Sequence, residues 1–144
     1  MEQLVEFTTN HPLLITAAIV TGAILLYNEM RVAGQGKYMI SPDQAVRLMN
    51  QGAVVFDLRK PEDFQTGHLS GAKNLQIADL DGQIESLKRY RSKPVIAYDD
   101  RGLTTPRAVS QLRQAEFEHV FSLRGGLVAW REDNLPVEKS KSKS

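Results

Sequence analysis

Between Glu6 and Glu29 the chain carries no fixed charge. The gap reads FTTNHPLLITAAIVTGAILLYN, Phe7 to Asn28, 22 residues. As one helix it extends roughly 33 Å at about 1.5 Å per residue, enough for a hydrocarbon core of about 30 Å. Pro12 suits a first helical turn, where no N–H is needed. The segment is apolar all round, whereas a core helix confines its apolar residues to a stripe. A cleaved secretory signal opens on positive charge; this one opens on Glu2 and Glu6, and only the weak pattern Val32-Ala33-Gly34 follows it. The expectation is an N-terminal segment, residues 1–30, holding a single transmembrane helix at about 7–28. Lys and Arg are absent before it, while Arg31, Lys37 and Arg47 follow. The positive-inside bias then leaves the amino terminus outside and the remainder in the cytoplasm.

Residues 31–37, closing on Gly34-Gln35-Gly36-Lys37, read as a linker, and a folded domain is expected over 38–137. The last residues, 138–144 (EKSKSKS), read as a disordered basic tail. Lys139, Lys141 and Lys143 give that tail a weak attraction to anionic lipid.

Within the domain, strand and helix signals alternate. Ser41-Pro42-Asp43-Gln44 is a capping box with proline at the first helical position, and Gly52 can end the helix. Ala53 to Leu58 (AVVFDL) and Pro94 to Tyr98 (PVIAY) are near-continuous apolar runs, the pattern of strands covered on both faces. Ala72 to Ile77 is a weaker strand signal, and His119 to Leu123 a further strand. Helices are expected at Asp79 to Arg89, after a Thr105-Pro106 cap, and at Gly125 to Arg131 around Trp130. The alternation predicts an α/β fold of three layers, a parallel sheet with helices on both faces. Ligands of such sheets bind beyond the carboxyl ends of the strands. Asp57 and Asp99 fall at those ends.

Lys and Arg total 18 against 17 Asp and Glu, a net charge of +1. With no basic excess and no interleaving of basic and aromatic residues, nucleic acid is not an expected partner. There is no cysteine, which excludes disulfides, thiolate metal sites and a thiol nucleophile.

Asp57-Leu58-Arg59, then Glu62-Asp63-Phe64, then Gly67-His68-Leu69-Ser70-Gly71-Ala72-Lys73-Asn74-Leu75 form one connected pattern. Gly125-Gly126-Leu127-Val128-Ala129-Trp130 with Leu135-Pro136 closes it. Together these resemble the signature of rhodanese-like domains, over about Tyr38 to Val137. With the apolar segment in front, the chain resembles the small membrane-anchored rhodanese-like proteins of bacteria, which implies an inner-membrane location. The resemblance also implies a loop, Y-C-x-x-G-x-R-S, whose Cys thiolate takes up sulfur as a persulfide in a cradle of backbone N–H groups. Here the loop is Tyr98-Asp99-Asp100-Arg101-Gly102-Leu103-Thr104-Thr105. Tyr98 and Gly102 match; Asp99 stands for the Cys, Thr104 for the Arg and Thr105 for the Ser.

A carboxylate cannot carry a persulfide, and it is a poor nucleophile toward soft sulfane sulfur. Two like charges about 4 Å apart repel by about 4 kcal/mol at an effective dielectric near 20, so Asp99 and Asp100 oppose an anion in the cradle. The loop Asp99, Asp100, Arg101, Gly102, Leu103, Thr104 and Thr105 is therefore read as a degenerate active site with no catalytic residue and no cofactor. Its expected work is binding or scaffolding of a partner, a membrane protein, with Asp99 and Asp100 facing that partner and Gly102 to Thr105 offering backbone donors. The competing reading is an enzyme in which Asp57, Asp99 and Asp100 hold Mg²⁺ and Asp99 is the nucleophile. Against it, Asp57 is expected to order its own loop through Arg59. His68 is expected to be packed and hydrogen-bonded rather than a base, and Gly125, Gly126 and Trp130 to be structural.

Overall fold

The computed structural model describes Met1–Ser140. The chain divides into a unit ending at Lys37 and a second beginning at Tyr38.

The first unit is two helices, α1 (Glu2–Asn10) and α2 (Pro12–Gly36). The helix expected at 7–28 is thus broken at His11, because Pro12 has no N–H to continue α1 and instead starts α2. Its membrane-length part is Pro12–Gly34, 23 residues, whose most apolar 18-residue stretch has mean hydropathy 1.7 with none of that stretch buried. Thr16 and Thr21 donate their hydroxyls to the carbonyls of Pro12 and Ala17 at 2.8 Å, which satisfies them without solvent. The expected linker at 31–37 is a correction: α2 continues through Gly36. A mid-helix glycine costs only about 1 kcal/mol, too little to stop an established helix.

The second unit runs β1 (Met39–Ile40), α3 (Pro42–Asn50), β2 (Val54–Asp57), α4 (Pro61–Thr66), β3 (Lys73–Asn74), α5 (Leu80–Leu87), β4 (Val95–Tyr98), α6 (Thr105–Gln114), β5 (Val120–Leu123) and α7 (Gly126–Glu132). The five strands form one sheet in the order β1-β5-β4-β2-β3, every pair parallel. Side chains alternate across β4, so Val95 and Ala97 face one layer and Ile96 and Tyr98 the other. The first layer packs Phe56, Leu80, Leu87, Ala108 and Leu112 from β2, α5 and α6. The second packs Ile40, Ala45, Val55, Leu127 and Trp130 from β1, α3, β2 and α7. The three-layer expectation holds.

Ser41 caps α3 with both arms of its capping box: its hydroxyl accepts from Gln44 N at 3.2 Å, and Ser41 N donates to Gln44 Oε1 at 2.9 Å. Three local expectations need correction. Thr104, not Thr105, precedes α6, and its side chain makes no cap to the helix. The Ala72–Ile77 signal condenses to the two residues of β3, with a 3₁₀ turn at Ile77–Asp79. Residues 138–144 are not a free tail from their first residue. Glu138 pairs antiparallel with His68, each N–H donating to the other's carbonyl at 2.8 Å, and its carboxylate accepts from Ser70 Oγ at 2.6 Å and Gly71 N at 3.3 Å. Residues 141–144, with Lys141 and Lys143, lie outside the described residues.

The Ser70 hydroxyl, then the Gly71 N–H, hold the Glu138 carboxyl below its ordinary 4.5. A carboxylate with a depressed folded pKa stabilises the folded form above its unfolded pKa, and that contribution is lost as pH falls through the folded value. The clasp is therefore expected to release below about pH 4.5. Amide-exchange protection factors of His68 and Glu138, measured from pH 7 to pH 3, should fall selectively over that range. Glu138→Gln should flatten the profile; an unchanged profile in that variant would mean that the carboxylate does not hold the clasp.

Candidate functional site

β2 and β4 are neighbours in register, with Asp57 opposite Tyr98, so the chain leaves both strands at one point. There Asp57, fully buried, is saturated. Its Oδ1 accepts from Arg59 N at 2.9 Å and Arg59 Nε at 3.0 Å, and its Oδ2 from Arg59 Nη2 at 2.7 Å and the Tyr98 hydroxyl at 2.5 Å. Arg59 Nη2 also donates to the Gly67 carbonyl at 2.6 Å, and Leu69 N donates to the Tyr98 oxygen at 3.0 Å. Burial, then the hydrogen bond to Asp57, raises the Tyr98 phenol far above its ordinary range, so it stays a donor. Burial pulls the Arg59 guanidinium down, but the Asp57 hydrogen bonds and charge outweigh it, and the net shift is upward. Arg59 Nη1 reaches Asp100 Oδ1 at 3.4 Å, tying this network to the loop.

The loop turns on Asp99. Its carboxylate faces inward, 8% exposed. Oδ1 accepts from Arg101 N at 3.0 Å and from Gly102 N; Oδ2 accepts from Thr104 N at 2.7 Å and the Thr104 hydroxyl at 2.6 Å. Four donors converge on one side chain, so the N–H groups of Arg101, Gly102 and Thr104 are used internally. From below, Leu127 N donates to the Asp99 carbonyl at 2.9 Å and Val128 N to the Asp100 carbonyl at 3.0 Å. That approach requires glycine at 126: a Cβ there would stand 2.4 Å from the Asp99 carbonyl oxygen and 2.7 Å from Arg101 N. Gly102, at φ +85°, makes the loop's own left-handed turn.

The expectation that Asp99 faces a partner is thus corrected, and of the backbone donors expected at Gly102 to Thr105 those of Gly102 and Thr104 are taken by Asp99. Asp99 points into the loop because a short carboxylate readily accepts from N–H groups two or more residues ahead. What the loop presents outward is Asp100, Arg101 and Leu103, the last 82% exposed. They rim a hollow of about 590 Å³ whose opposite side is Leu58, Arg59, Lys60 and Asp63. Lys60 and Asp63 were not legible as site residues; their signal is a place just beyond the β2 carboxyl end. Thr105 is buried, its hydroxyl donating to the Gly102 carbonyl at 3.2 Å.

The other singled-out residues do not converge on the loop. His68 stacks on Phe64 at 3.9 Å, with Nδ1 2.8 Å from the Phe64 carbonyl. Trp130 is buried and donates Nε1–H to the Pro136 carbonyl at 3.0 Å. Asp57, Asp99 and Asp100 do not form a metal cluster: among the described residues no three His, Cys, Asp or Glu side chains are placed to hold one ion.

This fold, with a loop of converging backbone donors after the central strand, is that of the rhodanese-like domains, and the chain belongs to that family, whose pattern matches residues 41–133. It is 32% identical over 143 residues to the YibN protein of Escherichia coli K12, covering 98% of this chain and 100% of that one. The thiosulfate sulfurtransferase GlpE of Ectopseudomonas mendocina is 37% identical over 92 residues, 64% of this chain and 83% of that protein. Among solved structures, the rhodanese-like domain of the Anabaena protein Alr3790 superposes with a TM-score of 0.62 at 30% identity, covering 74% of this chain and 85% of that one. With no cysteine in the sequence, this chain has no thiolate to form a persulfide.

Proposed function

We propose that this protein is a single-pass protein of a bacterial inner membrane whose rhodanese-like domain, on the cytoplasmic side, binds or scaffolds a membrane protein and transfers no sulfur. The observation that carries this reading is the inward carboxylate: Asp99 takes four donors of the loop, while Leu103, Asp100 and Arg101 stand outward around the hollow. An exposed leucine ringed by charges suits a protein surface better than a small anion. The apolar Pro12–Gly34 helix supports anchoring, and Arg31 and Lys37 behind it support the orientation. An anchored domain meets partners in the same plane at high effective concentration, which favours a membrane protein.

A photocrosslinking residue in place of Leu103, activated in native membranes, should trap a membrane protein. Reversing the rim charges with D100R/R101E should cut the adduct at least severalfold, while the fold, read by Trp130 fluorescence, stays intact. An adduct yield indifferent to that reversal would remove the rim as the binding surface.

A further inference from the structure

The five strands are parallel, so all of them start at one end of the sheet and the Asp99–Thr105 loop sits at the other. The chain enters the domain at the starting end: α2 stops at Gly36 and β1 begins at Met39. Three residue steps reach at most about 10 Å, comparable with the polar headgroup layer on each side of the hydrocarbon core, roughly 5–8 Å.

The segment leading into β4 is Lys88-Arg89-Tyr90-Arg91-Ser92-Lys93, four cations in six residues. The acids that face it are Glu85, which pairs with Lys88, and Glu116, 3.4 Å from Arg91; Glu118 lies 4.0 Å from His119. Among the described residues, Arg89, Lys93 and Lys37 have no ion-pair partner, and all three are exposed. Arg89 lies over the Tyr90 ring, 4.8 Å from its centroid, which leaves its charge without an acid.

We propose that this end of the domain rests on anionic lipid headgroups through Arg89 and Lys93, so that the Asp99–Thr105 loop is held facing away from the bilayer. The proposal rests on the reading of α2 as a membrane anchor. A connection of this length lets the cationic end reach the headgroups, and each basic residue near an anionic surface strengthens attachment roughly fivefold.

The absence of native cysteine allows single labels. Full-length Ser92→Cys and Leu103→Cys, each spin-labelled, are placed in nanodiscs of phosphatidylcholine alone or with about one third phosphatidylglycerol. In anionic discs the label at position 92 should be at least fivefold less accessible to a water-soluble nickel chelate than the label at 103. The shielding should vanish in neutral discs, at 1 M salt, where the Debye length is about 3 Å, and in R89E/K93E, whose fold is checked by Trp130 fluorescence. Equal accessibility of the two labels in anionic discs overturns the proposal, as does shielding that persists in neutral discs or in R89E/K93E. Retention of the chain in discs at 1 M salt separates the two readings: a chain that leaves the disc refutes anchor and docking together, and a retained chain with an open label at position 92 refutes docking alone.

Discussion

Replacing Asp57 with alanine is expected to remove about 3–5 kcal/mol of domain stability, read as a lower urea midpoint in Trp130 fluorescence. Trp130 is the sole tryptophan and lies in the buried layer beneath the sheet, so its signal reports that unfolding cleanly. The magnitude follows from what is left behind. Arg59, with a side chain 5% exposed, would keep only the Gly67 carbonyl and the 3.4 Å contact to Asp100, a nearly uncompensated buried charge. Tyr98 would lose its acceptor as well, a further buried donor unsatisfied. Asp57→Asn should cost less, because one carbonyl oxygen still accepts. Replacing the pair together, Asp57→Asn with Arg59→Met, should recover part of the loss, since an absent charge needs no partner. A loss below about 1 kcal/mol in Asp57→Ala would mean that water reaches Arg59 and that the network is not the fastening described.

That network shows where sequence reading succeeds and stops. AVVFDL, PVIAY and HVFSL announce their strands because residues buried on both faces leave a continuous apolar run, and Ser41-Pro42-Asp43-Gln44 announces α3 because its caps are local. β1 and β3 are two residues each; they exist because neighbouring strands supply hydrogen bonds, and no periodicity fits in two residues. Gly34 and Gly36 suggest a linker where α2 in fact continues, for a related reason: glycine lowers helix propensity without forbidding the helix. Glu138 sits in a low-complexity tail, and its attachment to Ser70 and Gly71 spans 68 and 67 residues, a distance no local pattern encodes. The expected Asp57–Arg59 pairing is local enough to read; the Tyr98 hydroxyl that completes it is visible only once the register places β2 against β4. At the loop, the position of Asp99 was legible and its direction was not. The one signal available was an Asp three residues ahead of Gly102, a spacing that lets a carboxylate accept from the turn that follows it.

The direction of Asp99 decides what its removal should do. Asp99→Ala uncovers Arg101 N, Gly102 N, Thr104 N and the Thr104 hydroxyl together, at the amino end of α6, where the helix dipole favours an anion. The unliganded variant should lose about 1–3 kcal/mol, the cost of donors without an acceptor, unless an anion replaces the carboxylate. Sulfate should therefore stabilise Asp99→Ala and leave the natural chain unmoved. For a site of about 1 mM affinity, 10 mM sulfate adds about 1.4 kcal/mol, or roughly 5 °C or more for a domain of about 100 residues. Asp99→Asn is the informative control: its amide carbonyl still accepts, but its NH₂ faces N–H donors, so it should be destabilised without gaining the sulfate response in full. Asp99→Cys extends the test to chemistry. The same donors should draw its thiol below the free value of about 8.5, so alkylation should proceed faster at pH 7 than for a cysteine at the exposed Ser92. Thiosulfate:cyanide sulfur transfer, expected to be blank in the natural chain, should emerge only with Thr104→Arg added, because a neutral Thr104 supplies no charge to hold thiosulfate. If Asp99→Ala ignores sulfate and the introduced thiol titrates like a free one, the donors do not form an anion cradle, and Asp99 is an ordinary turn residue rather than an internal occupant of the site.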